Sequence, residues 1–176
     1  VYWYGANTYL IDSNVLPLST AAAIGISAGC IVGGWLVYDS LCRLLAAHES
    51  LLAAIVFGLL LALDWGLFRV FGARAAYVHV GVVMGTIMVA NVYFHIIPGQ
   101  KKMVDAIRNG QSVDPAPGAI GKQRSVHNTY FTLPVLFIMI SNHFPMTYSH
   151  TYGWANLGVI MAAGVLIRQY FVLRRR

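Results

Sequence analysis

Charge is what this chain has least of. Of its 176 residues only 10% are Asp, Glu, Lys or Arg, and Glu49 is the one glutamate. Soluble domains carry roughly a quarter charged residues, so this shortage excludes an ordinary water-soluble domain. Cysteine is almost missing as well. Cys30 and Cys42 form no CxxC or CxxCH pattern, which excludes covalent c-type haem attachment. Cys30 falls in an apolar run and reads as a small packing residue. There is also no continuous basic patch to go with the net charge of +6. The Lys and Arg sit at the ends of apolar runs, where membrane orientation explains them and a nucleic-acid partner does not. No methionine, signal peptide or basic leader opens the chain at Val1, which reads as a processed product or the ordered part of something longer.

What is present is apolar length, with 58% hydrophobic residues. The pattern predicts an all-α integral membrane bundle of about five spans, near 18–41, 50–70, 75–97, 127–145 and 152–173, each close to the roughly 20 residues that cross a bilayer core. Residues 1–17, with Tyr2, Trp3, Tyr4 and Tyr9, read as an interfacial arm or the end of an upstream span. Pro98-Gly99 is expected to stop the third span. A loop over 99–126 follows, containing a short amphipathic helix around Met103, Val104 and Ile107. Ala21, Gly25, Gly29 and Gly33 form a small-residue stripe suited to close helix approach, and Gly81 and Gly85 form another. With the 99–126 loop in the cytoplasm, Arg43, Lys101, Lys102, Arg108, Lys122, Arg124, Arg168 and Arg174 to Arg176 share that side. Only Arg69 and Arg74 lie opposite. The positive-inside rule then puts the N-terminus outside and the C-terminus inside.

Polar groups within spans are costly and mark function. Gln123, Arg124, His127, Asn128, Thr129 and Tyr130 gather at the inner mouth of the fourth span, with Asn91 towards the same end of the third. Arg offers a forked donor to a planar anion, amides read both donors and acceptors, and His moves protons near neutral pH. A helix cap with a topogenic arginine accounts for part of the same pattern. His79 and His143 fall near the outer face, as His95 and His127 do near the inner one. Neutral imidazoles so placed are candidate axial ligands of one or two haems. Histidines sixteen apart, however, point to opposite faces of a straight helix. Asp64 is expected to pair with Arg69, Arg74 or an outer histidine, or to orient an axial imidazole.

The segments GWLVYDSLCR, RAAYVHVG, GTIMVANVYFHIIPGQKKMV and RSVHNTYFTLPVLFIMISNHFP resemble the membrane domain of the PuuD-type urate hydroxylases, or cytochrome c urate oxidases, from about Gly34 to the last span. The resemblance implies a bacterial inner-membrane enzyme of purine breakdown. It would oxidise urate to 5-hydroxyisourate and pass electrons to a C-terminal cytochrome c domain. The chain departs from that pattern in lacking CxxCH and further upstream helices, and in having His95 where the family usually has arginine. With urate as the substrate that the resemblance implies, the polar clustering makes His127, as proton acceptor, Arg124 and Asn128 the expected catalytic residues and Asn91 and Thr129 the substrate-binding ones. Haem b on His79 and His143 and cytochrome c as acceptor complete the expectation. Further membrane helices or subunits are the expected packing partners. The competing expectation is a non-catalytic transmembrane subunit of a respiratory or photosynthetic complex. A transporter fits less well, because paired broken helices are missing.

Overall fold

The computed structural model describes residues 5–174. It is all-helical. A single turn, α1 (Ala6–Tyr9), leads to α2 (Thr20–Leu44), α3 (Glu49–Leu67) and α4 (Ala73–Ala90). A π-helical segment (Asn91–Ile96) follows, then α5 (Ile97–Arg108), α6 (Ala116–Ser141), a 3-10 turn (Pro145–Thr147) and α7 (Gly153–Arg174). Four helical stretches are long and apolar enough to cross a membrane: Thr20–Leu44, Glu49–Leu67, Ala73–Arg108 and Gly153–Val172. At 26 residues α6 is long enough, but its first half carries Lys122, Arg124, His127 and Asn128, which dilutes its apolar character.

The fold departs from the sequence reading at Pro98, which does not stop the helix. The backbone runs on from Ala73 to Arg108, 36 residues, or about 54 Å at 1.5 Å per residue. A proline lacks an N–H and its ring strikes the carbonyl four residues back. The π segment just before it makes room, since Ile97 N–H donates to the Val92 carbonyl five residues back. The expected loop over 99–126 is therefore mostly helix, with a turn of only seven residues between α5 and α6. Gly110, the one described residue in the left-handed region (φ 64°), closes α5. The following Gln111 N–H reaches back to the Ala106 carbonyl at 2.9 Å, the helix end that glycine allows. The amphipathic α5 packs along α6, its Gly99 facing Pro117 closely enough that a Cβ would meet the Pro117 carbonyl at 3.0 Å.

α4 is the central helix, burying Tyr77, His79, Val80, Val83, Met84 and Ile87. Gly34 of α2 meets Val83, and Gly81 meets Ile138 of α6, each so tightly that a Cβ would overlap the partner. Pro134 inside α6 is buried and lies against Gly164 of α7. The stripe on α2 does not behave this way. Gly25, Gly29 and Gly33 have open space where a Cβ would stand, as has Gly85, and Gly29 and Gly33 line a groove of about 470 Å³ whose other wall is Val56, Leu59 and Leu63 of α3. Of the N-terminal arm, Tyr2, Trp3 and Tyr4 lie outside the described residues. Leu10 is fully buried, and its carbonyl accepts from Gly72 N–H at 3.0 Å, which ties the arm to the α3–α4 turn.

Gly153 gives a direct test of this packing. A Cβ there would stand 2.5 Å from the Tyr148 carbonyl oxygen and 2.8 Å from the Phe68 ring. Backbone cannot retreat as a side chain can, so Gly153→Ala is expected to destabilise the bundle by about 1–2 kcal/mol. Gly29→Ala, into open space, should leave unfolding of the detergent-solubilised protein unchanged or slightly delayed. Equal effects from the two substitutions would contradict this packing.

Candidate functional site: a buried polar cluster between α2, the π segment and α6

Near the end of the bundle that carries Arg43, Lys101, Lys102 and Lys122, polar side chains from three elements meet. Arg124, on the α6 turn facing α2 and α4, is 2% exposed, and Asn91, the first residue of the π segment, is fully buried. Such groups persist in an apolar interior only when partnered. Arg124 donates from one terminal nitrogen to Asp39 Oδ1 at 2.8 Å and from the other to Asn91 Oδ1 at 3.3 Å. Asn91 Nδ2 in turn donates to the Tyr38 hydroxyl at 3.0 Å and to Asn128 Oδ1 at 2.9 Å. Asn128 Nδ2 closes the chain on the Met88 carbonyl at 3.0 Å.

Asp39 is the hub. Its Oδ1 also bonds His95 Nε2 at 2.7 Å, and its Oδ2 takes Arg43 at 2.7 Å, one helical turn along α2. One carboxylate thus serves three cationic or donor groups, and all the ion pairs among the described residues use it. Residues 91–96 reach this site because the wider π turn adds one residue and rotates those beyond it. Asn91 can then face α6 while His95 faces α2.

Directions of donation fix the orientation of the Asn91 amide. Arg124 can only donate, so the Asn91 oxygen faces it and the Asn91 nitrogen faces Tyr38. The Tyr38 oxygen therefore accepts from Asn91, and the same hydroxyl lies 2.8 Å from His127 Nδ1, with Cys42 Sγ 3.8 Å from that nitrogen. Arg124 Nε is buried without a hydrogen-bond partner. So is the indole N–H of Trp35, one turn before Asp39 on α2, whose ring stacks on Phe94 with centroids 5.2 Å apart. A groove of about 390 Å³ lined by Met88, Val89, Val92, Tyr93 and Ile97 reaches Asn128 from the side of the bundle.

The structure thus brings together Arg124, His127, Asn128 and Asn91. Thr129 is elsewhere: its hydroxyl accepts from Arg168 of α7 at 3.1 Å, because consecutive helical residues lie about 100° apart. His79 and His143 are not brought together. Tyr77 faces α6 through a 2.7 Å bond to Ser141, and two residues on a helix turn about 200°, so the buried His79 ring looks away from α6 and packs edge-on against Phe71. His143 lies beyond the end of α6 and is exposed. These rings do not fit an axial pair, and no step is assigned to a haem between them. Asp64 takes neither of its expected arginines. Arg69 stacks over Trp65 at 3.9 Å and Arg74 donates to Asn142 at 3.3 Å, while both Asp64 oxygens are buried without a hydrogen-bond partner.

Tyr38 and Asp39 were not among the expected site residues. The available signal was Asp39 inside an apolar span, but Arg43 four residues on reads equally well as an exposed helical pair.

Together these features define an all-helical bundle with helices of membrane-crossing length and a charged, hydrogen-bonded cluster near one end. The family model described as urate oxidase N-terminal matches residues 1–176. The chain belongs to the urate oxidase N-terminal family. Comparison with curated proteins and with solved structures gave no match.

Proposed function

We propose that the chain is the membrane part of a urate-oxidising oxidoreductase of the bacterial inner membrane, with a c-type cytochrome taking the electrons. On this reading the N-terminus is outside, the basic end is cytoplasmic, and α6 is a fifth crossing helix. The observation that carries it is the unspent Nε–H of Arg124, a fixed cation 2% exposed within a urate oxidase family chain. Urate is a planar anion whose edges alternate carbonyl oxygens and ring nitrogens. Arg124, oriented by Asn91, would hold the anion, the second Nδ2 hydrogen of Asn128 would read a carbonyl edge, and Nε2 of His127 would face a developing oxyanion. Charge-assisted bonds contribute about 1.5–3 kcal/mol each. Arg124→Gln should therefore weaken urate binding about tenfold to a hundredfold, measured by calorimetric titration in detergent. Thr129→Val should leave it unchanged. Urate affinity indifferent to Arg124 would remove the assignment.

A second reading, a non-catalytic transmembrane subunit of an electron-transfer assembly, is favoured by the open space along the glycine stripe of α2. Co-purification with a larger complex and no urate binding by this chain would select it.

A further inference from the structure

The proposed oxidation needs a base, and Nδ1 of His127 is already engaged, by the Tyr38 hydroxyl at 2.8 Å and by Cys42 Sγ at 3.8 Å. His95 is held by its other ring nitrogen. An ionised Asp39 can only accept, so the 2.7 Å bond places the His95 proton on Nε2 and leaves the Nδ1 lone pair as the acceptor. The ring is 16% exposed, within reach of water from the basic end. His95 and Arg124 bond the same oxygen of Asp39, so a base and an anion-holding cation lie side by side.

We infer that His95, oriented by Asp39, is the base that deprotonates the water adding to C5 of the urate ring. This rests on the reading of the chain as a urate-oxidising protein. The step balances for the urate monoanion. One water supplies hydroxide, which forms the new C–O bond at C5, and its proton passes to His95 Nδ1. Two electrons leave the ring for two ferric c-type haems, one each, giving neutral 5-hydroxyisourate. Asp39 is a positioning residue: it fixes the His95 tautomer and stabilises the imidazolium as it forms. The charged groups facing this pair are Arg43 from α2 and Arg124 from α6. Lys101 and Lys102 of α5 and Lys122 of α6 are exposed at the same end.

The test is urate-dependent reduction of ferric cytochrome c by the detergent-purified chain, followed as a function of pH, for the unaltered protein and for His95→Gln, His95→Ala and His127→Gln. Glutamine keeps a donor towards Asp39 but cannot take a proton, so a merely structural role for His95 would be rescued by His95→Gln and not by His95→Ala. The expected result is a loss of about a hundredfold or more in kcat/KM in both His95 variants. The acid limb of the pH profile should disappear in both, while urate affinity stays within about threefold. His127→Gln should lower the rate and keep the acid limb. Normal turnover with an intact acid limb in His95→Gln overturns the base assignment alone. No urate binding and no cytochrome reduction by the unaltered chain overturns the urate reading and this inference together.

Discussion

Asp39→Ala should be the most damaging single substitution in the polar cluster, lowering stability by about 3–5 kcal/mol, the usual cost of removing one partner from a buried ion pair. The carboxylate holds a guanidinium that is 2% exposed, and nothing else among the bonds of Arg124 carries negative charge. Losing it leaves a desolvated cation with only a neutral amide and the Tyr38 ring, 5.2 Å away, beside it. His95 loses the acceptor of its Nε2 proton in the same step. Arg43 is a useful contrast, because its side chain is 71% exposed and its bond to Asp39 is an ordinary surface pair. Arg43→Ala should cost no more than about 1 kcal/mol. The measurement is the unfolding midpoint in mild detergent under denaturant, with Asp39→Leu combined with Arg124→Met as a third variant. Replacing both charges by apolar groups of similar size removes the penalty as well as the attraction, so the double variant should recover most of the lost stability. An Asp39→Ala protein within about 1 kcal/mol of the original would show that Arg124 finds another anion or water.

Residues that interact were legible in the sequence when they lie close together in the chain or at equal depth on neighbouring spans. Arg124, His127 and Asn128 share two turns of α6, and Asn91 has the same depth on a neighbouring span. Hydropathy and spacing were enough to group them. The Asp39 that neutralises Arg124 is 85 positions away, and its place in an apolar span was masked by the i, i+4 relation to Arg43. Which face of α2 turns inward depends on packing: Gly34, not the Gly25–Gly29–Gly33 row, meets α4. The all-helical class and the long apolar helices follow from composition and run length. Pro98 could not be placed that way, because a proline ends a regular helix but is tolerated after a widened turn, and a π turn has no sequence pattern of its own. The pairing of His79 with His143 failed for a geometric reason. Equal depth in the bundle says nothing of azimuth, and the two-residue step from Tyr77 turns His79 away from α6.

Asp64 should give the largest change of opposite sign. With Leu60 and Leu67 it lies on the buried stripe of α3, fully enclosed, and neither carboxyl oxygen has a hydrogen-bond partner. A buried carboxyl without partners costs several kcal/mol when charged and still loses its bonds to water when neutral. Leucine at 64 would extend the stripe that Leu60 and Leu67 already form. Asp64→Leu is therefore expected to raise stability by about 2–3 kcal/mol, near the insertion cost of an aspartate within an apolar helix. Asp64→Asn should recover only part of that gain, since it removes the possible charge but keeps an unpaired amide. Measured by the same unfolding assay, a loss of stability in both variants would mean that a group outside the described bonds, such as a bound water or a neighbouring subunit, satisfies the carboxyl. A gain in both, with leucine ahead, would establish that residue 64 is held as aspartate at a cost to the fold. The polar cluster around Asp39 is different in this respect, since there nearly every donor and acceptor is spent.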